Sequence, residues 1–201
     1  GDKIVCYSIA PWTNSVVYYD EATKTTVKKR LTPGSEEWTT IWTAFLNDLA
    51  DHLYEKGWFN DAYIGIDERG FNKAAFDLID SIKRGIPTPL KLKSAGAMDG
   101  FVEKKDLAMR VDDLNVGSIA VKAHPQQFEE IRQAREDAGL RTTIYTCTGH
   151  KPGNFSLSAP GESYWTMMYS YSVGGEGYLR WAYDSWVENP LEDTTPNAFE
   201  A

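Results

Sequence analysis

Short apolar runs alternate with amphipathic stretches along almost the whole chain, and this alternation restricts the fold more than any other feature. Residues 4–9 read as a strand that gives way to a loop at Pro11-Trp12. A polar stretch with a β-excursion over Val16, Val17, Tyr18, Tyr19 and Asp20 follows. From Trp38, the residues Ile41, Trp42, Phe45, Leu46, Leu49 and Leu53 recur at helical spacing; Ser35 suits the N-cap, Glu36 and Glu37 the first turn, and Gly57 the C′ position. A second cycle sets a buried strand at 62–66 before a helix capped by Asn72, which carries Ala75, Phe76, Ile79 and Ile82 and closes at Gly85. The third strand is read at 90–94 and the fourth at 118–121, ahead of a helix with Phe128, Ile131 and Ala134 that stops at Gly139. The fifth occupies 142–147. A long loop, 148–161, leads to a helix around Trp165, Met168 and Tyr169, and a last strand covers 177–182.

Six such alternations, with strands too apolar to face water, predict an α/β fold of parallel strands covered by helices. No phosphate-binding Gly turn marks a doubly wound sheet. The expectation is therefore a (β/α)8 TIM-type barrel present only in part, about six βα units, because a complete barrel takes about 250 residues and the chain has 201. An open parallel sheet is the alternative. Residues 1–186 are expected to form the barrel portion. The stretch 187–201, with Glu188, Pro190, Glu192, Asp193 and Pro196, reads as a solvated exit segment.

With 42% hydrophobic residues and 13% aromatics, a chain this long buries roughly 70% of its unfolded surface, which excludes a disordered or disulfide-stapled one. Its net charge of −8 and the absence of any Lys/Arg tract make nucleic acid a poor partner. No apolar run approaches the roughly 20 residues that span a bilayer. The opening Gly-Asp-Lys has neither an initiator Met nor a signal-type apolar region, as an excised piece would not. Cys6 and Cys147 stand far apart and read as small apolar fillers in strands. The three histidines, His52, His124 and His150, form no metal motif, so neither a metal nor a cofactor is expected.

Chemistry concentrates where the predicted strands end. Asp67 and Glu68 are adjacent carboxylates after the strand 62–66, and in parallel α/β folds the C-terminal ends of strands form the ligand face. The same acids would also suit a plain polar turn paired with Arg69. Around 175–186 lie Tyr178, Arg180, Trp181, Tyr183, Asp184 and Trp186, an aromatic and polar mixture that suits sugar rings and their hydroxyls, although alternate aromatics also serve as packing. The loop 146–155 places His150 and Asn154 beyond a strand. Asn154-Phe155-Ser156 also has the form of a glycosylation sequon.

Pro11-Trp12 with 18–21, then 63–68, then Tyr145-Thr146-Cys147 with 152–155, and finally 177–181, taken in this order, resemble glycoside hydrolase family 123, in the later part of its catalytic barrel. The resemblance implies an exo-acting, retaining β-N-acetylgalactosaminidase that works by substrate assistance on glycans with a terminal N-acetylhexosamine. It puts the family's catalytic pair on Asp67 and Glu68. Strand-end position and chemistry add Trp12, Tyr145, Arg180, Trp181, Tyr183 and Asp184 as substrate contacts. The family's habit of bacterial glycan scavenging implies a secreted, periplasmic or cell-surface protein. The resemblance also implies that the parent chain supplies an N-terminal part of the barrel missing here. Two other readings stand beside it: a glycosidase with Glu68 as acid and Asp99 or Asp184 as nucleophile, and a non-catalytic carbohydrate-binding barrel.

Overall fold

A computed structural model of the chain describes residues 5–8 (backbone only), 15–66, 71–84, 91–100, 104–155, 158–180 and 191–192. Strand β1 (Val5–Ser8) is followed by an antiparallel hairpin of β2 (Ser15–Asp20) and β3 (Thr25–Arg30), paired from Ser15↔Arg30 to Asp20↔Thr25. The excursion expected at 16–20 is thus one arm of a two-stranded ribbon. Helix α1 (Glu36–Glu55) begins where Ser35 Oγ accepts from the Trp38 amide at 3.2 Å and ends at Gly57, whose φ of 71° favours glycine. Its apolar stripe buries Trp38, Leu46, Ala50 and Leu53.

Strand β4 (Ala62–Ile66) leads to α2 (Lys73–Lys83), started by Asn72 Oδ1 on the Ala75 amide at 3.0 Å. Strand β5 (Lys93–Met98) precedes the short α3 (Lys105–Ala108), and β6 (Asp113–Gly117) runs directly into α4 (Ser118–Ala123). Helix α5 (Pro125–Asp137), strand β7 (Arg141–Tyr145), helix α6 (Pro160–Ser172) and strand β8 (Tyr178–Leu179) complete the order.

Four strand expectations shift. The third strand begins at Lys93, past most of the 90–94 run. Residues 118–121 are helical, and the true fourth strand is the preceding segment. Gly117 ends that strand and Ser118 opens the helix, so a quartet that reads like a strand is the first turn of α4, which buries Ser118, Ala120 and Val121 and leaves Ile119 exposed. The fifth strand stops at Tyr145, leaving Cys147 two residues beyond it rather than in a strand. The last strand is cut to Tyr178–Leu179, with Gly177 and Arg180 outside it, while 181 and 182 lie outside the described residues.

Six strands form one parallel sheet in the order β1-β4-β5-β6-β7-β8. Each new strand is added beside the last, without the reversal of order that defines a doubly wound sheet. Among the described residues the helices cover one face: Ala62, Ile64 and Ile66 of β4, Met98 of β5, Leu114 and Val116 of β6 and Ile144 of β7 all lie in the two apolar cores under them. These are alternate positions of one parity, as a pleated strand requires. Sequential order with single-sided helices is the architecture of a barrel wall, here an α/β sheet consistent with an incomplete barrel.

Register stacks the opposite face in layers. Gly65, Ala95, Asp113 and Arg141 share the first, Ala97, Asn115 and Thr143 the second, and Gly117, Tyr145 and Leu179 the third. Small side chains dominate on β4 and β5, polar ones on β6 and β7. Asp113 pairs with Arg141 at 3.7 Å, and Thr143 Oγ1 donates to Asn115 Oδ1 at 2.5 Å.

The N-terminal edge of the sheet is locked by Arg135 of α5, which has no solvent exposure. Its guanidinium donates to Thr142 Oγ1 at 3.0 Å and to the carbonyls of Ala108, Val111 (3.0 Å), Asp112 (3.2 Å) and Arg141 (2.5 Å). Five donors meet five acceptors, which is the condition for burying a guanidinium. Even so, burial pulls its pKa down to about 10. Helix α6 is packed in reverse of the usual pattern: Thr166 and Ser170 are its buried residues, while Tyr164, Trp165, Met167, Met168 and Tyr171 are exposed.

Candidate active site

The C-terminal edge of the sheet is where the chemistry expected from sequence should meet. Because β4, β5, β6, β7 and β8 are parallel, the residues after Ile66, Met98, Gly117, Tyr145 and Leu179 all leave the same edge. Asp67 and Glu68 follow Ile66 directly, but they lie outside the described residues, as do Trp12, Trp181, Tyr183 and Asp184. Of the expected site residues, Tyr145 and Arg180 are described.

Tyr145 is the last residue of β7 and is buried to 7% exposure. Its ring lies across Gly117 of the neighbouring strand, where an added Cβ would stand 3.2 Å from the phenolic oxygen. The absence of a side chain at 117 is therefore what lets the ring lean over β6. Beside it, 6.4 Å between ring centroids, is His150, and His150 Nδ1 shares a 3.1 Å hydrogen bond with Oγ of the fully buried Ser118. Tyr145, His150 and Ser118 thus form one polar and aromatic group at the ends of β6 and β7.

The loop that carries His150 is pinned from three directions. The His150 amide donates to Cys147 O at 3.0 Å, closing a tight turn. Glu162, in the first turn of α6, accepts from the Gly153 amide and from Lys151 Nζ, both at 2.8 Å. Lys151 and then that amide hold its carboxyl below the usual range. From β8, the Tyr178 hydroxyl donates to Asn154 Oδ1 at 3.0 Å and bonds Thr146 Oγ1.

Arg180 joins the same anchor. Its guanidinium lies 4.5 Å above the Phe155 ring, and its Nη1 is buried with no hydrogen-bond partner among the described residues. Register puts Tyr178 level with Ile144, on the helix-covered face, so Tyr178 grips the loop from outside, while Leu179 lies on the opposite face beside Tyr145. Asp99, an alternative nucleophile from sequence, is half-exposed and ion-paired with Lys104 at the end of β5.

Asn115, Thr143, Gly117 and Ser118 are not singled out by sequence. The signal that could have found them is the alternation of Asp113, Asn115 and Gly117 with Leu114 and Val116, a polar face on a buried strand. Two concavities lie elsewhere: one of about 350 Å³ between α3 and α5, and one of about 360 Å³ at the N-terminal edge near Tyr63, Lys93 and Glu176. Among the described residues, no cluster of three His, Cys, Asp or Glu side chains could hold a metal ion, and no helix is long and apolar enough to cross a membrane.

The sequence matches the profile described as "Glycoside hydrolase 123, catalytic domain" over residues 1–201. No curated protein matches it. Among solved structures, a family 123 glycoside hydrolase from Clostridium perfringens, whose structure was analysed for the details of glycolipid glycan hydrolysis, is similar at 40% identity with a TM-score of 0.80. The match covers 94% of this chain and 33% of that one, so this chain spans about a third of the relative's length.

Proposed function

This chain belongs to glycoside hydrolase family 123, within its catalytic domain, and from that premise we propose that it is an exo-acting, retaining β-N-acetylgalactosaminidase whose nucleophile is the substrate's own 2-acetamido group. The observation that carries the reading is that Asp67 and Glu68 come directly after β4, whose C-terminal end shares an edge with Tyr145 and the His150 loop. That is the edge at which parallel barrels hold substrate.

In this reading Glu68 starts protonated and gives its proton to the glycosidic oxygen as the C1–O bond breaks. The acetamido oxygen closes on C1 from the opposite face and forms an oxazolinium ion. Asp67, ionised, holds the acetamido N–H and offsets the positive charge. Water then adds to C1 from the side the leaving group vacated as the bond from C1 to the acetamido oxygen breaks and restores the acetamide, its proton passing to Glu68, and two inversions give net retention. Adjacent acids suffice because no protein nucleophile is needed, one of the exceptions to the two-carboxylate scheme. Their environments must hold the two pKa values apart.

Trp12, Tyr145, Trp181, Tyr183 and Asp184 complete the sugar site in this proposal. Arg180, stacked on Phe155, is proposed as a further sugar contact from its place just after β8. Glycolipid glycans are the substrate class, exported bacterial protein the setting, and residues 1–186 the catalytic portion. The test compares an aryl N-acetyl-β-galactosaminide with the plain aryl β-galactoside: the first is cleaved, the second is not. An N-acetyl-thiazoline mimic of the cyclised sugar must inhibit far more tightly than free N-acetylgalactosamine. A glycosyl-enzyme trapped on a protein carboxylate would instead assign the nucleophile to Asp99 or Asp184.

A further inference from the structure

We propose that His150 contacts the sugar and that Ser118 is the positioning residue that orients it, an inference that rests on the glycosidase reading above. Both residues are placed by the scaffold. Ser118 opens α4 directly after β6 and has no exposure, so its hydroxyl is a fixed point. Its 3.1 Å hydrogen bond to His150 Nδ1 fixes one edge of the imidazole and with it the plane of the ring.

That ring is half-buried, neither in the core nor free on the surface, and it stands beside the Tyr145 ring that leans across Gly117. The face below is made of small and polar groups, Ala97, Asn115 and Thr143, a lining of the kind that can hydrogen-bond a ring that carries hydroxyls. An imidazole held in one orientation next to a phenol offers directional hydrogen bonding and an aromatic edge to such a ring. The carrier loop meets a further requirement of a binding residue. Its ties to Glu162 and to Tyr178 set His150 in place before any ligand arrives.

The chain's three histidines make the test direct. The imidazole Hε1 and ring-nitrogen resonances of the full 201-residue chain are followed by NMR during titration with N-acetylgalactosamine, with His150→Gln identifying the His150 signals. The expected result is a saturable shift at His150, while His52 on α1 and His124 at the end of α4 stay in place. His150→Ala should weaken binding about tenfold. Ser118→Ala should weaken it about three- to tenfold and also move the Nδ1 resonance of the ligand-free protein, which marks positioning rather than loss of fold when the amide spectrum is otherwise kept. If amide resonances report saturable binding while the His150 signals do not move, His150 is not a contact and the inference falls. An unchanged Nδ1 resonance and affinity in Ser118→Ala removes the positioning role. If neither N-acetylgalactosamine nor the thiazoline binds at all, the glycosidase reading fails, and this inference fails with it.

Discussion

Under the proposed mechanism Asp67 and Glu68 have different duties, and substitutions at the two should fail in different ways. Glu68→Gln removes a proton donor, so its loss of kcat/KM, about 10²- to 10⁴-fold on a substrate with a poor leaving group, should shrink markedly on an aryl glycoside whose leaving group needs little protonation. Asp67→Asn removes charge opposite the oxazolinium ion, and the better leaving group should not rescue it equally. Parallel rescue of both variants across a series of aryl leaving groups would end the division of roles. At the other edge, Asp113 shows a different dependence on pH. Burial raises its pKa against the pull of Arg141 and Arg135, and its Oδ1 is buried without a hydrogen-bond partner. A raised folded pKa means that the ionised form weighs against folding at pH values above it, and that the weight lifts as pH falls through it. Asp113→Asn should therefore raise Tm at pH 7 and give no gain near pH 3, where both proteins are neutral at this position. Thermal melts across that range decide it.

Helix α5 is fastened to β6 and β7 through one side chain, and the fastening can be measured. Arg135→Met leaves the carbonyls of Ala108, Val111, Asp112 and Arg141 and the Thr142 hydroxyl without their donor, a loss of about 3–5 kcal/mol. For a chain of this size that lowers Tm by roughly 10 °C, and a variant within 2 °C of wild type would show the network to be dispensable. Elements with a strong period or a cap are legible in the amino-acid sequence itself: α1 from Ser35 to Gly57, α2 from Asn72, β4 from its apolar run. The α4 segment is not, because Ser-Ile-Ala-Val is short enough to suit either state and its identity is set by Gly117 ending the strand before it. Strand β5 is hard to place because its Ala and Gly residues, Ala95, Gly96 and Ala97, lack the β-branched bulk that announces a strand. For the site, Asp67 and Glu68 stand out from strand-end position and family likeness. Asn115, Thr143 and Ser118 do not, since their importance depends on which strands become neighbours and in what register.

At the scale of the molecule, β1 and β8 are the outer strands of the described sheet, and the face opposite the helices carries small side chains on β4 and β5 and polar ones on β6 and β7. Water reaching that face would screen the charges on which glycoside cleavage depends. The 201-residue chain is accordingly expected to hydrolyse an aryl N-acetyl-β-galactosaminide at least about a hundredfold more slowly than a protein of the relative's length, in which more chain is available to complete the wall. Matched kcat/KM values would show that these 201 residues are sufficient. The reversed packing of α6 bears on motion. A helix that buries Thr166 and Ser170, and only partly Tyr169, has little apolar area holding it to the sheet. Much of its attachment runs through hydrogen bonds at its ends, from Glu162 to the His150 loop and from Ser170 to Gly177 O. Such an element opens at lower free energy than the core around it. Its amides should exchange with deuterium ahead of those of α5, and the His150 loop should open with it as a single cooperative unit.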